Sequence, residues 1–81
     1  MKCKILHESR GRMRVHALQY RMTMEQADIL EYYLKGQEGV LYAKVNDRTG
    51  DAIISYEGSR EGIILALSRF SYEENTALVP E

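Results

Sequence analysis

The chain has 81 residues, 44 % of them hydrophobic and 28 % charged, with a formal net charge of −1. A single domain of this size buries only about 60 to 65 % of its unfolded surface, so its core must be thin. No apolar run approaches the roughly 20 residues that cross a bilayer. Lys2 and Lys4 are not followed by the apolar stretch of a secretory signal. One cysteine excludes an internal disulfide and any multi-cysteine zinc site within one chain. We therefore expect one cytoplasmic domain over residues 1–81, cut from a longer chain at Pro80-Glu81.

The small net charge hides an asymmetry. Lys2, Lys4, Arg10, Arg12, Arg14 and Arg21 face only Glu8 in the first part of the chain, and acidic residues dominate the rest. A basic first strand can touch nucleic acid, anionic lipid or an acidic protein surface, or it can simply be a solvated face.

Lys2 to Ser9 alternates imperfectly and reads as strand, with Cys3, Ile5 and His7 on one face and Lys4, Leu6 and Glu8 on the other. Gly11 interrupts the pattern, which then resumes with Met13, Val15 and Ala17 inward and Arg12, Arg14 and His16 outward. We expect one long bent strand; a short hairpin is the alternative.

Tyr20 to Val40 holds a helix. Thr23 and Gln26 have the T-x-x-Q spacing of a capping box. Glu25 and Asp28 suit the positive end of the helix dipole. Ala27, Leu30 and Leu34 give an apolar stripe with Met24 beside it, and Gly36 and Gly39 offer places to stop. The β-rich runs Val40 to Val45 and Ala52 to Tyr56 flank a turn at Asn46 to Asp51, which predicts a hairpin with Val45, Ala52, Ile54 and Tyr56 inward. Ser59 is an N-cap for a second helix, Arg60 to about Phe70, with Ile63, Ile64, Leu67 and Phe70 at helical spacing. Ser71 to Asn75 reads as a polar connector and Thr76 to Val79 as a short last strand. The order β-α-β-β-α-β predicts an α+β, ferredoxin-like sandwich: a four-stranded antiparallel sheet with two helices on one face.

Gly39-Val40, the strand ending at Val45-Asn46, the run Thr49-Gly50-Asp51-Ala52-x-Ile54-x-Tyr56 and the close near Phe70-Ser71-Tyr72 resemble heavy-metal-associated domains. His7-Glu8-Ser9-Arg10-Gly11-Arg12-Met13-Arg14 resembles the H-S-x-x-G-R-x-R element of a divergent branch of that family. Over its whole length the chain looks like the N-terminal domain of heavy-metal-translocating P-type ATPases of anaerobic Gram-positive bacteria. The family's usual G-M-x-C-x-x-C loop binds soft ions such as Cu(I) through two thiolates. Here the two cysteine places fall on Thr23 and Gln26, with Met22 near the motif's methionine. The resemblance thus implies a role beside a metal pump without the dithiolate, and neither a catalytic, a cofactor nor a metal residue carries over.

The remaining chemistry is sparse. Cys3 and His7 lie about 13 Å apart along an extended strand, too far to share an ion, and two ligands are fewer than zinc takes. His16 among Arg12 and Arg14 could respond to pH or ligate haem iron. Met13, Met22 and Met24 carry thioethers that suit Cu(I), but all three are read as packing residues. Of the six tyrosines, Tyr32 and Tyr33 are adjacent on the helix, so one is exposed. The Gly11-Arg12-Met13-Arg14 segment lacks the aromatics of an RNA-binding sheet. Ser9-Arg10-Gly11-Arg12 only loosely resembles the phosphate loop of an acylphosphatase. We expect a non-catalytic regulatory or docking domain whose partner is the catalytic part of the parent ATPase. It would bind no nucleic acid, reach the membrane only through that parent, and hold no resident cofactor. Two alternatives stay open: a haem or small-ligand module using His7, His16 or the open sheet face, and a self-associating module using Thr76 to Val79 or the basic first strand.

Overall fold

Alternation sets the sheet. Met13, Val15 and Ala17 are buried on β2 (Arg12–Ala17), Ala52, Ile54 and Tyr56 on β4 (Asp51–Tyr56), and Ala43 and Val45 on β3 (Val40–Asn46). Together with β1 (Cys3–Ser9) these form a four-stranded antiparallel sheet in the order β1-β2-β4-β3. The computed structural model describes residues 1–75 and adds α1 (Met24–Lys35), α2 (Arg60–Arg69) and a single turn, α3 (Tyr72–Asn75). Ala27, Ile29, Leu30 and Leu34 of α1, with Ile63 and Leu67 of α2 and the following Phe70, join the buried strand residues in one cluster. Both long helices therefore cover the same face, and the α+β, ferredoxin-like class expected from the sequence is the one adopted.

Three local expectations are corrected. The first concerns Gly11. Ser9 pairs with Arg12, so Arg10 and Gly11 are a two-residue loop, and β1 and β2 are a hairpin rather than one bent strand. Gly11 sits at φ 76°, which reverses the chain instead of bending it. Its carbonyl accepts from the Tyr56 N–H at 2.9 Å and ties the loop to the end of β4. As a result β2 has both flanks occupied, by β1 and by β4. The last strand expected at Thr76 to Val79 lies outside the described residues.

The second correction is a bulge. Ile5 pairs with Val15 but His7 pairs with Arg14, so Leu6 is an extra residue in β1. One inserted residue flips everything after it to the opposite face. Cys3 and Ile5 stay with the helices, while His7 joins Lys4 and Ser9 on the open side. Cys3 and His7 do not share a face.

The third is the connector after α2. Its residues Tyr72 to Asn75 form a helical turn rather than coil, held by Asn75 Nδ2 donating to the Ser71 carbonyl at 2.8 Å.

The helix ends follow their signals. Thr23 caps α1, with its Oγ1 accepting from the Gln26 N–H at 3.0 Å and Gln26 Oε1 accepting from the Thr23 N–H at 3.1 Å. Ser59 Oγ accepts from the Gly62 N–H at 3.1 Å and starts α2. At the other end of α2 the Met1 ammonium donates to the Ser68 and Phe70 carbonyls at 3.1 and 3.0 Å, where the helix dipole favours a cation. Among the described residues no helix is long and apolar enough to cross a membrane.

Between α1 and β3 the backbone approaches β4 closely at Gly39. It has φ 87°, and a Cβ there would lie 2.6 Å from the Glu57 carbonyl oxygen. Glu57 N–H donates to the Gly39 carbonyl at 2.8 Å, so neither strand can move apart without losing that bond. Gly39→Ala should lower the stability of the domain by more than the roughly 1–2 kcal/mol of a left-handed alanine, because the clash adds to it. Urea unfolding of the variant beside the parent chain measures this, and an unchanged midpoint would contradict the close approach.

Candidate functional site

The loop before α1 is closed by side chains. Gln26 Oε1 accepts from the Thr23 N–H and also from Gln19 Nε2 at 3.1 Å. Gln19 Nε2 donates in addition to the Arg21 carbonyl at 2.9 Å, and Gln19 Oε1 accepts from Tyr72 Oη at 2.6 Å. A polar chain thus runs from the helix cap through Gln19 to α3. Burial raises the Tyr72 pKa, against the lowering effect of its bond to Gln19. The Tyr72 ring stands edge-on to Phe70 with centroids 4.8 Å apart, and Phe70 lies at the same distance from Tyr33. Tyr33 Oη donates to the Ala66 carbonyl at 2.6 Å and joins α1 to α2. Sequence reasoning found the Thr23–Gln26 box but not Gln19 or Tyr72, whose separation along the chain leaves no local signal.

The methionines divide. Met13 and Met22 are buried in the core, as expected of packing residues. Met24 is 73 % exposed, so it does not pack beside the stripe of α1; Ile29 is buried there instead. Of the adjacent tyrosines, Tyr32 is the exposed one and Tyr33 is half-buried. Cys3 is half-buried beside a cleft between β1 and α2 whose walls include Ile5, Leu18, Ile64 and Leu67. Burial pushes its thiol pKa up, which disfavours the thiolate needed for a soft ion or a nucleophile.

The second feature is the open face of the sheet. The registers arrange it in three rows that each cross all four strands. Ser9, Arg12, Ser55 and Tyr42 form the first, and His7, Arg14, Ile53 and Lys44 the second. Lys4, His16, Asp51 and Asn46 form the third. None of these side chains is buried. Only the third row holds a carboxylate, and it is used: His16 Nδ1 and Asp51 Oδ1 are 2.8 Å apart. The structure therefore brings His7 and His16 to one face, on neighbouring strands, which the sequence reading did not. Among the described residues no group of three or more His, Cys, Asp or Glu side chains could hold a metal ion.

Two acidic side chains, Glu8 and Glu31, are engaged at the margins of the sheet. Glu8 faces the helices and binds Arg60 through both carboxylate oxygens; that pairing lowers the Glu8 pKa and raises that of Arg60. Glu31 of α1 reaches β3, which is an edge strand among the described residues; its Oε1 accepts from the Val45 N–H at 2.9 Å and lies 4.0 Å from Lys44 Nζ. Lys35 Nζ sits 3.2 Å from its other oxygen. Burial alone would raise the Glu31 pKa, but the Val45 N–H, Lys35 and Lys44 outweigh it and hold it below the ordinary carboxylate value. Comparison of the chain with family models, curated proteins and solved structures finds no match.

A depressed carboxylate stabilises the fold above its unfolded-state pKa and loses that contribution as pH falls through the folded value. Glu31→Ala should cost about 1 kcal/mol at neutral pH, near the net worth of one hydrogen bond. The gap to the parent chain should then close on acidification below the carboxylate range. Denaturant titrations at neutral and acid pH measure it; a gap that widens on acidification would contradict the assignment.

Proposed function

We propose that the chain is a non-catalytic domain that docks on, or regulates, the cytosolic part of a heavy-metal-translocating P-type ATPase without capturing the ion through a dithiolate. One observation carries this reading. The two places where the resembled family has its cysteines hold Thr23 and Gln26, and both side chains are bonded to each other's backbone in a helix cap. The same loop is tied through Gln19 to Tyr72. A site rebuilt this way serves the helix and leaves the sheet face as the surface for contact.

Isothermal titration with Cu(I) and Zn(II) tests the proposal. The parent chain should show no stoichiometric binding tighter than about micromolar, near −8 kcal/mol. The double variant Thr23→Cys/Gln26→Cys should gain one Cu(I) site, because the cap and third positions of a helix lie within reach of one ion. Tight binding by the parent chain would overturn the loss of capture. A folded double variant that fails to bind Cu(I) would remove the correspondence of the loop.

A second reading, a haem or small-ligand module, is favoured by the His16–Asp51 pair. A carboxylate that holds one ring nitrogen prepares the other to ligate a metal. A Soret shift on haem titration that is lost in His16→Ala would support it, and the absence of a shift would dismiss it.

A further inference from the structure

We propose that the docking surface is the half of the open sheet face made by Ser9, Arg12, Ser55 and Tyr42 with His7, Arg14, Ile53 and Lys44, and that it receives a carboxylate-rich segment of a protein partner. This rests on the docking reading above and adds the surface and the chemistry of what it takes.

The starting point is an imbalance inside one sheet. In the third row the His16 ring faces the Asp51 carboxylate directly across the strands. The other two rows hold no carboxylate at all. Arg12 and Arg14 alternate on β2 and so project from one face about 7 Å apart, and no acidic group lies within ion-pair distance of either among the described residues. Like charges so placed repel. The fold has carboxylates to offset this, yet places them elsewhere: Glu8 on the helix side with Arg60, Glu31 around the β3 edge, Asp51 with His16. Lys44 is the one cation of the two rows that Glu31 reaches, at 4.0 Å. Two guanidinium forks are left at the centre of the face.

All but one of the neighbours of those forks are hydrogen-bonding groups. Ser9 and Ser55 flank Arg12 on the adjacent strands, and Tyr42 stands next to Ser55. His7 and Ile53 flank Arg14. Guanidinium matches a carboxylate with two parallel N–H donors and sheds its water more easily than an ammonium does. A flat row of such donors suits side-chain carboxylates presented by an extended or helical segment.

Other anionic partners fit less well. Single-stranded nucleic acid stacks its bases on aromatic side chains, but the central strands β2 and β4 present Arg12, Arg14, Ile53 and Ser55, and the aromatic Tyr42 lies on the edge strand. A membrane surface is gripped by apolar side chains inserted between the headgroups, whereas Ile53 is the apolar residue of these rows and is half-buried.

The test uses the isotope-labelled chain and a synthetic oligoglutamate peptide. Amide shifts should map to the two rows, and Arg12→Gln/Arg14→Gln should weaken binding about tenfold while keeping the thermal melt of the parent chain. Lys2→Gln/Arg21→Gln, with the same change in charge at exposed positions outside the two rows, should stay within about twofold. Equal losses in both double variants would reduce the effect to net charge and overturn the site. Tighter binding of polyuridylate or of phosphatidylserine vesicles than of the peptide would overturn the partner class. Metal titration of the parent chain is independent of all these outcomes, so failure of the pump reading is distinguishable from failure of this surface.

Discussion

The pairing of β2 with β4 is the interaction on which the rest depends. It sets Met13 beside Ile54 and Val15 beside Ala52, all of them almost fully buried. These four side chains make the floor against which α1 and α2 bring Leu30, Leu34, Ile63 and Leu67. A chain this short has apolar residues enough for one covered face. The opposite face is left mostly to polar and charged side chains, with Ile53 the exception in its central rows, so the surface available for contact is a direct consequence of where the core had to be.

Among the described residues β1 and β3 are the two edge strands, and edges invite unwanted pairing. The chain treats them differently. At β3 the carboxylate of Glu31 occupies a free backbone N–H, and the Leu41 bulge between Val40 and Tyr42 breaks the ladder. At β1 the bulge at Leu6 interrupts the register, and Glu8 is drawn toward Arg60 on α2. The bulge has a second effect: it turns His7 onto the basic face. A one-residue irregularity therefore decides which side chains share a surface.

The loop before α1 is ordered by its own side chains. Thr23 and Gln26 satisfy backbone groups that a helix start leaves open, and Gln19 and Tyr72 extend the network into α3. Polar groups bonded in this way order the chain at the start of α1.

Much of the architecture was legible in the residues. The alternation of Met13, Val15 and Ala17, the Thr23–Gln26 box, the stripe of Ala27, Leu30 and Leu34, the turn before Asp51 and the Ser59 cap are local signals, and local hydrogen bonds and periodic burial answer to them. The hairpin at Gly11 was legible only in part, because a glycine between two alternating runs marks a bend and a reversal alike; the close approach of the Gly11 carbonyl to the Tyr56 N–H belongs to the reversal. The bulge at Leu6, the reach of Glu31 around β3 and the Gln19–Tyr72 bond each join or shift residues through contacts between distant segments. So does the division of the open face into a balanced row and two unbalanced ones. Residue order set the periodicities; strand register, which only the assembled sheet decides, set which charges meet and which are left facing outward.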